Sequence, residues 1–132
     1  MSYDPENLPT SVIEFLTERH LASLTLIRTD GSPHVTPVGV TWDDEARLIR
    51  VITWQQATKA HILEATGGGR ASVCQIDGGR WLTLEGDAVL TADPARCAEG
   101  LRRYEERYRR PHDRGTDRRV IEIAVDKVMG RA

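Results

Sequence analysis

The dipeptide Asp30-Gly31, set between two runs rich in β-branched residues, is the feature that most limits what this chain can fold into. Asp-Gly flanked by strand-forming segments is a strong hairpin signal, because both residues tolerate the positive φ of a tight turn. It pairs Leu21–Thr29 with Pro33–Trp42. Asp43-Asp44-Glu45-Ala46 turns the chain again into a third strand, Leu48–Thr53. Asp77-Gly78-Gly79 joins Ala71–Ile76 to Trp81–Leu90 in a second hairpin. In that return strand Leu82, Leu84, Gly86, Ala88 and Leu90 share one face, and Trp81, Thr83, Glu85 and Asp87 share the other.

Three helices are predicted around these strands. Thr10-Ser11, with Glu14 three residues after Ser11, forms a capping-box pattern for a short amphipathic helix ending near His20. A second helix opens at Thr58-Lys59 and stops before Gly67-Gly68-Gly69. A third begins at Asp93-Pro94, a cap followed by a first-turn proline. Its buried stripe is Cys97, Leu101, Tyr104 and Tyr108, and its arginines and glutamates are expected to face outward. A polar loop, Pro111–Asp117, leads to a last strand, Val120–Val125.

Six mostly antiparallel strands in 132 residues leave exposed edges unless the sheet curls shut. The expected architecture is therefore mainly β with flanking α. It is a six-stranded antiparallel closed or split β-barrel with helices outside, in one domain covering residues 1–132.

Composition narrows the function. No apolar run is long enough to span a bilayer, and Met1-Ser2-Tyr3-Asp4-Pro5-Glu6 lacks the layout of a signal peptide. Cys74 and Cys97 stand far apart, which indicates neither a disulfide framework nor a zinc site. A cytoplasmic protein without membrane or metal is expected. The net charge of −2 argues against general nucleic-acid binding, and one Phe with scattered Trp and Tyr offers no stacking platform. Nucleophile-elbow, phosphate-loop, zinc-protease and dinucleotide motifs are all missing, so no catalytic residue is assigned. If the chain is an enzyme, a bound cofactor carries the chemistry.

The candidate site lies where the run Val51–Thr53 ends and Thr58-Lys59 opens a helix. A helix start leaves backbone N–H groups unpaired and carries partial positive charge, and Thr58 and Lys59 add a hydroxyl and a full charge. The competing reading is an ordinary threonine cap and a solvated lysine. Arg102, Arg103, Arg107, Arg109, Arg110, Arg114, Arg118 and Arg119 form a cluster with the same two readings, a solvated face or the receiver of a polyanion.

Certain motifs, in this order along nearly the whole chain, carry a resemblance. They are Leu24-Thr25-Leu26, Asp30 through Val38, Ile52-Thr53, Thr58-Lys59, Gly79 through Gly86, and Asp117 through Ile121. So read, the chain resembles the FMN-binding split-barrel superfamily that includes the pyridoxamine phosphate oxidases. Within it, His20-Leu21-Ala22, Gly79-Arg80-Trp81-Leu82, Arg107-Tyr108-Arg109 and Arg118 through Glu122 are most similar to the actinobacterial branch that uses the deazaflavin coenzyme F-420, and there to its biliverdin reductases. Two departures count against a pyridoxal oxidase: Ala57-Thr58 precede Lys59 where that family has Ser and Arg, and the C-terminal Arg-Leu-x-Pro signature is absent.

The resemblance implies a homodimer with the cofactor site at the subunit interface and a small-molecule substrate. The cofactor would be coenzyme F-420 (an 8-hydroxy-5-deazaflavin), with FMN as the alternative. Thr36, Pro37, Val38, Ile52 and Thr53 would border its ring, and Thr58 and Lys59 would hold its phosphate. Trp81, Arg118 and Arg119 would reach the cofactor held mainly by the partner chain. The implied reaction is hydride transfer to a conjugated substrate, biliverdin giving bilirubin, with no residue assigned as proton donor. The same barrel used only as a flavin or tetrapyrrole carrier is the non-enzymatic alternative.

Overall fold

The computed structural model describes residues 1–132. In chain order the elements are β1 (Ser2–Tyr3), α1 (Thr10–Thr17), β2 (Ala22–Ile27), β3 (Pro33–Val38), β4 (Val40–Asp43), β5 (Leu48–Trp54), α2 (Thr58–Thr66), β6 (Gly69–Asp77), β7 (Arg80–Thr91), α3 (Pro94–Arg107) and β8 (Arg118–Arg131). The strands form one antiparallel sheet in the order β3-β2-β6-β7-β8-β5-β4, and β1 adds to β8. The terminal strands β3 and β4 are consecutive in the chain, with Gly39 alone between them. That single-residue link forces the sheet to roll back on itself, and it produces the curled barrel expected of a chain too small to leave long open edges.

Eight strands replace the six expected. The run Pro33–Trp42 is cut in two at Gly39, and Ser2–Tyr3 is too short to carry a pattern. The last strand reaches Arg131 because a bulge keeps it going. Glu85 pairs with Lys127 but Gly86 with Val125, which leaves Asp126 outside the ladder and breaks the alternation there. Freed in this way, Asp126 accepts two hydrogen bonds from Arg70, at 2.7 and 2.9 Å.

Inside the barrel the rows interlock. Leu24, Val73 and Leu84 are cross-strand neighbours, as are Val40, Val51 and Ile121, and each is at most about 1% exposed. Phe15 and Leu16 of α1 and Ile62 and Leu63 of α2 close this core. The alternation read along β7 holds, with Leu82, Leu84, Gly86 and Ala88 buried.

Two helix readings need correction. Helix α1 has Pro9 as its cap, with no capping side chain: the Pro9 carbonyl accepts from the N–H groups of Val12 and Ile13, so Thr10 and Ser11 lie inside the first turn. It ends at Thr17, because Glu18 is extended. In α3 the Asp93 side chain does cap Arg96, but the polar residues do not all face water. Arg96 bonds buried Glu122 at 2.6 Å, and Arg103 reaches buried Asp43 at 3.1 Å. Arg107 donates to the carbonyls of Glu18 and Val40. Long guanidinium side chains let a helix with only two fully buried residues, Cys97 and Gly100, clamp onto polar strand edges. No helix is long and apolar enough to cross a membrane.

Candidate functional site

The alternation in β5 settles which side chains meet. Ile49, Val51 and Thr53 point into the barrel, while Arg50, Ile52 and Trp54 point toward α3. Trp54 pairs directly with Arg118 at the start of β8. There, between the ends of β5 and β8, the β3–β4 link, the start of α2 and the far end of α3, lies a cavity of about 230 Å3. Pro37, Val38, Ile52, Lys59 and Arg118 line it, together with Gly39, Trp54, Tyr104, Pro111, His112 and Arg114.

Charge in this cavity has one sign. Lys59 Nζ sits 5.9 Å from the centroid of the Trp54 ring, and the Arg114 guanidinium carbon sits 4.3 Å from it. Trp54 is thus flanked by two cations, each held by the ring's negative face. Arg118 is anchored by carbonyls alone, donating to Thr53 and His112 at 3.2 and 2.7 Å. None of Lys59, Arg114 or Arg118 has a carboxylate partner, whereas Arg47, Arg50, Arg70, Arg80, Arg96, Arg102 and Arg103 all do. Half-burial without a counter-ion pushes the Lys59 ammonium below the usual lysine range. Arg118 is lowered by burial first and then by neighbouring Arg114. Such an arrangement is suited to an anion, which would supply the missing counter-charge.

Helix α2 begins beside this cluster, with Ala57 as its cap and Thr58 as its exposed first residue. Nearby, Thr36 Oγ1, Thr53 Oγ1 and His34 Nδ1 are buried with no hydrogen-bond partner. His34 carries a lowered pKa, caused by burial and then by Arg28 and Lys59. Of the ten residues named from the sequence, five line the cavity. Thr36 and Thr53 project inward from their strands, Thr58 is exposed, and Arg119 lines a second cavity behind Arg118. Trp81 lies at the far end of the sheet, paired with Ile76 and Arg131.

Trp54 and Gly39 were not singled out from the sequence, Tyr104 was read only as part of the buried stripe of α3, and Arg114 only as a member of the arginine cluster. A β-carbon on Gly39 would lie 2.9 Å from the Tyr104 ring and 3.0 Å from that of Tyr108, so only glycine lets α3 close this wall. Trp54 carried a readable signal: it is next in the alternating row after Ile52, on the cavity side.

A curled sheet with an anion-seeking cleft outside its barrel defines a class. The chain matches the family model "Pyridoxamine 5'-phosphate oxidase" over residues 8–131, and it belongs to that family. It is 44% identical over 126 residues to the F420H(2)-dependent biliverdin reductase of Mycobacterium tuberculosis, a match covering 95% of this chain and 89% of that protein. Among solved structures it is similar in fold to the conserved hypothetical protein Rv2991 from Mycobacterium tuberculosis, with a TM-score of 0.78 at 21% identity, covering 95% of this chain and 84% of the other. It is likewise similar to an F420 reductase, with a TM-score of 0.71 at 22% identity, covering 92% and 98% of the two chains.

Proposed function

We propose that this protein is a coenzyme F-420-dependent reductase that reduces biliverdin to bilirubin. The observation that carries the reading is the 230 Å3 cleft in which Lys59, Arg114 and Arg118 converge around Trp54 with no carboxylate among them. The 44% identity to the mycobacterial biliverdin reductase, over nearly the full chain, supports the choice of cofactor and substrate.

The residues fit the cofactor. Lys59, Arg114 and Arg118, with the start of α2 and Thr58, would hold the phosphodiester. Pro37, Val38, Gly39, Ile52 and Trp54 would border the flat ring. When bound and reduced, the deazaflavin supplies a hydride equivalent. The protein's own contribution is then binding and orientation: fixing the substrate's central methine against the donor carbon and keeping water from the cleft.

The site is completed in a homodimer. Pro37, Ser23, Cys74 and Thr83 are lateral neighbours on the sheet's outer face, and Ile76 pairs with Trp81 on the same face. Leu21, Val35 and Ile76 there are 65%, 58% and 66% exposed, an apolar patch that invites a self-complementary partner. Because Pro37 borders both this face and the cleft, a second copy docked here encloses the site and draws Trp81 toward it. Residues 1–132 act as one split-barrel domain, in the cytoplasm.

The test is a titration of the whole protein with coenzyme F-420 and with FMN, followed by turnover with the reduced coenzyme and biliverdin. Tighter binding of coenzyme F-420 and oxidation of it only when biliverdin is present support the reading. Tighter binding of FMN would transfer it to a flavin oxidoreductase, and binding of both ligands without turnover would make the protein a carrier.

A further inference from the structure

Behind Arg118 lies the larger cavity of the chain, about 590 Å3, between α3 and residues 110–119. It shares Pro111, His112, Arg114 and Arg118 with the 230 Å3 cleft, so one wall serves both. Its floor is apolar, made by Pro94, Cys97, Ala98 and Leu101 of α3. Its rim is cationic: Arg110, Arg114, Arg118 and Arg119 stand against Glu105 and Asp113.

The rim arginines have no carboxylate partner, as is also true of Arg19, Arg28, Arg107, Arg109 and Arg131. Arg119 donates from Nη1 alone, to the carbonyls of Thr116 and Arg118, at 2.8 and 2.9 Å. Arg110 makes no side-chain hydrogen bond, Arg114 only stacks on Trp54, and none of the four makes an ion pair. Arginines at the body of α3, by contrast, are neutralised by Glu99, Glu106, Asp43 and Glu122. What sets these four apart from the chain's other unpaired arginines is that they converge on one cavity. Four unpaired guanidinium groups over an apolar concavity of this size make a pocket for an amphipathic anion.

We propose that this cavity is a second compartment of the site, which takes a carboxylate-bearing arm with an apolar body, held by Arg110 and Arg119 and entered past Arg114 and Arg118. The proposal deepens the functional reading above and rests on it for the arm's source. Two sources offer this chemistry: the glutamate tail of the coenzyme, and the propionates of a linear tetrapyrrole.

The experiment compares the wild-type protein with Arg110→Gln, Arg119→Gln and the double variant. Arg110 is exposed and unbonded, so its replacement leaves the fold intact. The first probe pair is 1-pyrenebutyrate and neutral 1-pyrenebutanol, followed by pyrene fluorescence. The wild type is expected to bind the carboxylate at least about tenfold more tightly, a preference that the double variant loses. Equal affinity for the two probes, or a preference kept in the double variant, would overturn the compartment.

Two further arms assign the source. If the tail occupies the compartment, the double variant erases the affinity gap between the full coenzyme and its tail-free form. If propionates occupy it, the double variant erases the KM gap between biliverdin and its dimethyl ester. If neither gap responds, the arm is not seated there and the proposal fails. Carboxylate selectivity that survives in a protein binding neither coenzyme nor biliverdin would instead overturn the functional reading and leave the compartment standing.

Discussion

Nη2 of Arg107 donates to Oε1 of Gln75 at 2.6 Å, and Nε2 of Gln75 donates onward to the Phe15 carbonyl at 2.8 Å. A side-chain amide only 1% exposed thus links the end of α3 to α1 through the barrel wall. Arg107 also donates to Val40 and Glu18, and the Tyr108 hydroxyl lies within hydrogen-bond distance of the Val40 and His20 carbonyls. Neutral carbonyls and one amide satisfy this half-buried cation, so losing any of them leaves it underpaired. Gln75→Leu should destabilise the fold by about 2–3 kcal/mol, read as a lower urea midpoint. A change within 0.5 kcal/mol would show that water replaces the amide at no cost.

Gly39 is the next position where a small change should be felt. Its α-carbon faces two tyrosine rings whose centroids are 4.9 Å apart, and Tyr108 is pinned by its hydroxyl. Gly39→Ala should cost about 1–3 kcal/mol of stability through overpacking. It should also weaken cofactor binding, since Tyr104 walls the cleft. Thermal melts with and without ligand separate the two effects.

Lys59 is predicted to trade stability for binding. Burial lowers its pKa, so the fold disfavours the charged form. That penalty is fully present below the folded pKa, begins to fade as pH rises past it, and is gone once pH passes the ordinary lysine value. Lys59→Met should therefore raise the stability of the free protein by about 0.5–1 kcal/mol while weakening cofactor binding by about 1.5–3 kcal/mol. In the wild type, a bound phosphate restores the lysine's proton affinity, so affinity should fall as pH climbs through the free protein's lysine titration. Affinity independent of pH up to that of an ordinary lysine would remove Lys59 from the phosphate seat.

At the other end of the barrel, Glu18 receives Arg80 at 2.9 and 3.2 Å and lies 2.9 Å from His20. Hydrogen bonds from Arg80 and then His20 hold its carboxyl down at about 2, against an ordinary 4.5. A depressed folded pKa means that the contribution is present above pH 4.5 and is lost as pH falls through about 2. Carboxyl titration by NMR should show this midpoint in the wild type and a return toward the ordinary range in Arg80→Gln.

The hairpins at Asp30-Gly31 and Asp77-Gly78-Gly79, the stop at Gly67 and the start at Asp93-Pro94 were legible because each depends on local backbone chemistry. The break at Gly39 was not, since its cause is the approach of Tyr104 and Tyr108 from 65 or more residues away in sequence. The extension past Val125 was hidden by the bulge at Asp126. Among the residues that line the cleft, Lys59 was named from the helix start, and Arg118 from the resemblance. Arg114 was named only within the arginine cluster, and its stacking on Trp54 escaped because the two meet across an interface that no local pattern encodes. The inward turn of Arg96, Arg103 and Arg107 escaped because guanidinium groups at helical spacing read as solvent-facing until the strands beneath expose unpaired carboxylates and carbonyls.

The proposed homodimer is tested by Val35→Asp, which places a charge on the outer face without touching the core. The variant should sediment as a monomer and lose cofactor affinity about tenfold or more, because the enclosed cleft is opened. A monomeric wild type that still binds the cofactor would refute the shared site.

The most direct measurement of the central claim uses reduced coenzyme F-420 deuterated at C5, mixed with the protein and biliverdin for a single turnover. Direct hydride transfer predicts bilirubin with deuterium at its central carbon, in an amount equal to the coenzyme oxidised. Bilirubin formed without the label would contradict direct hydride transfer, even if all the biliverdin were consumed.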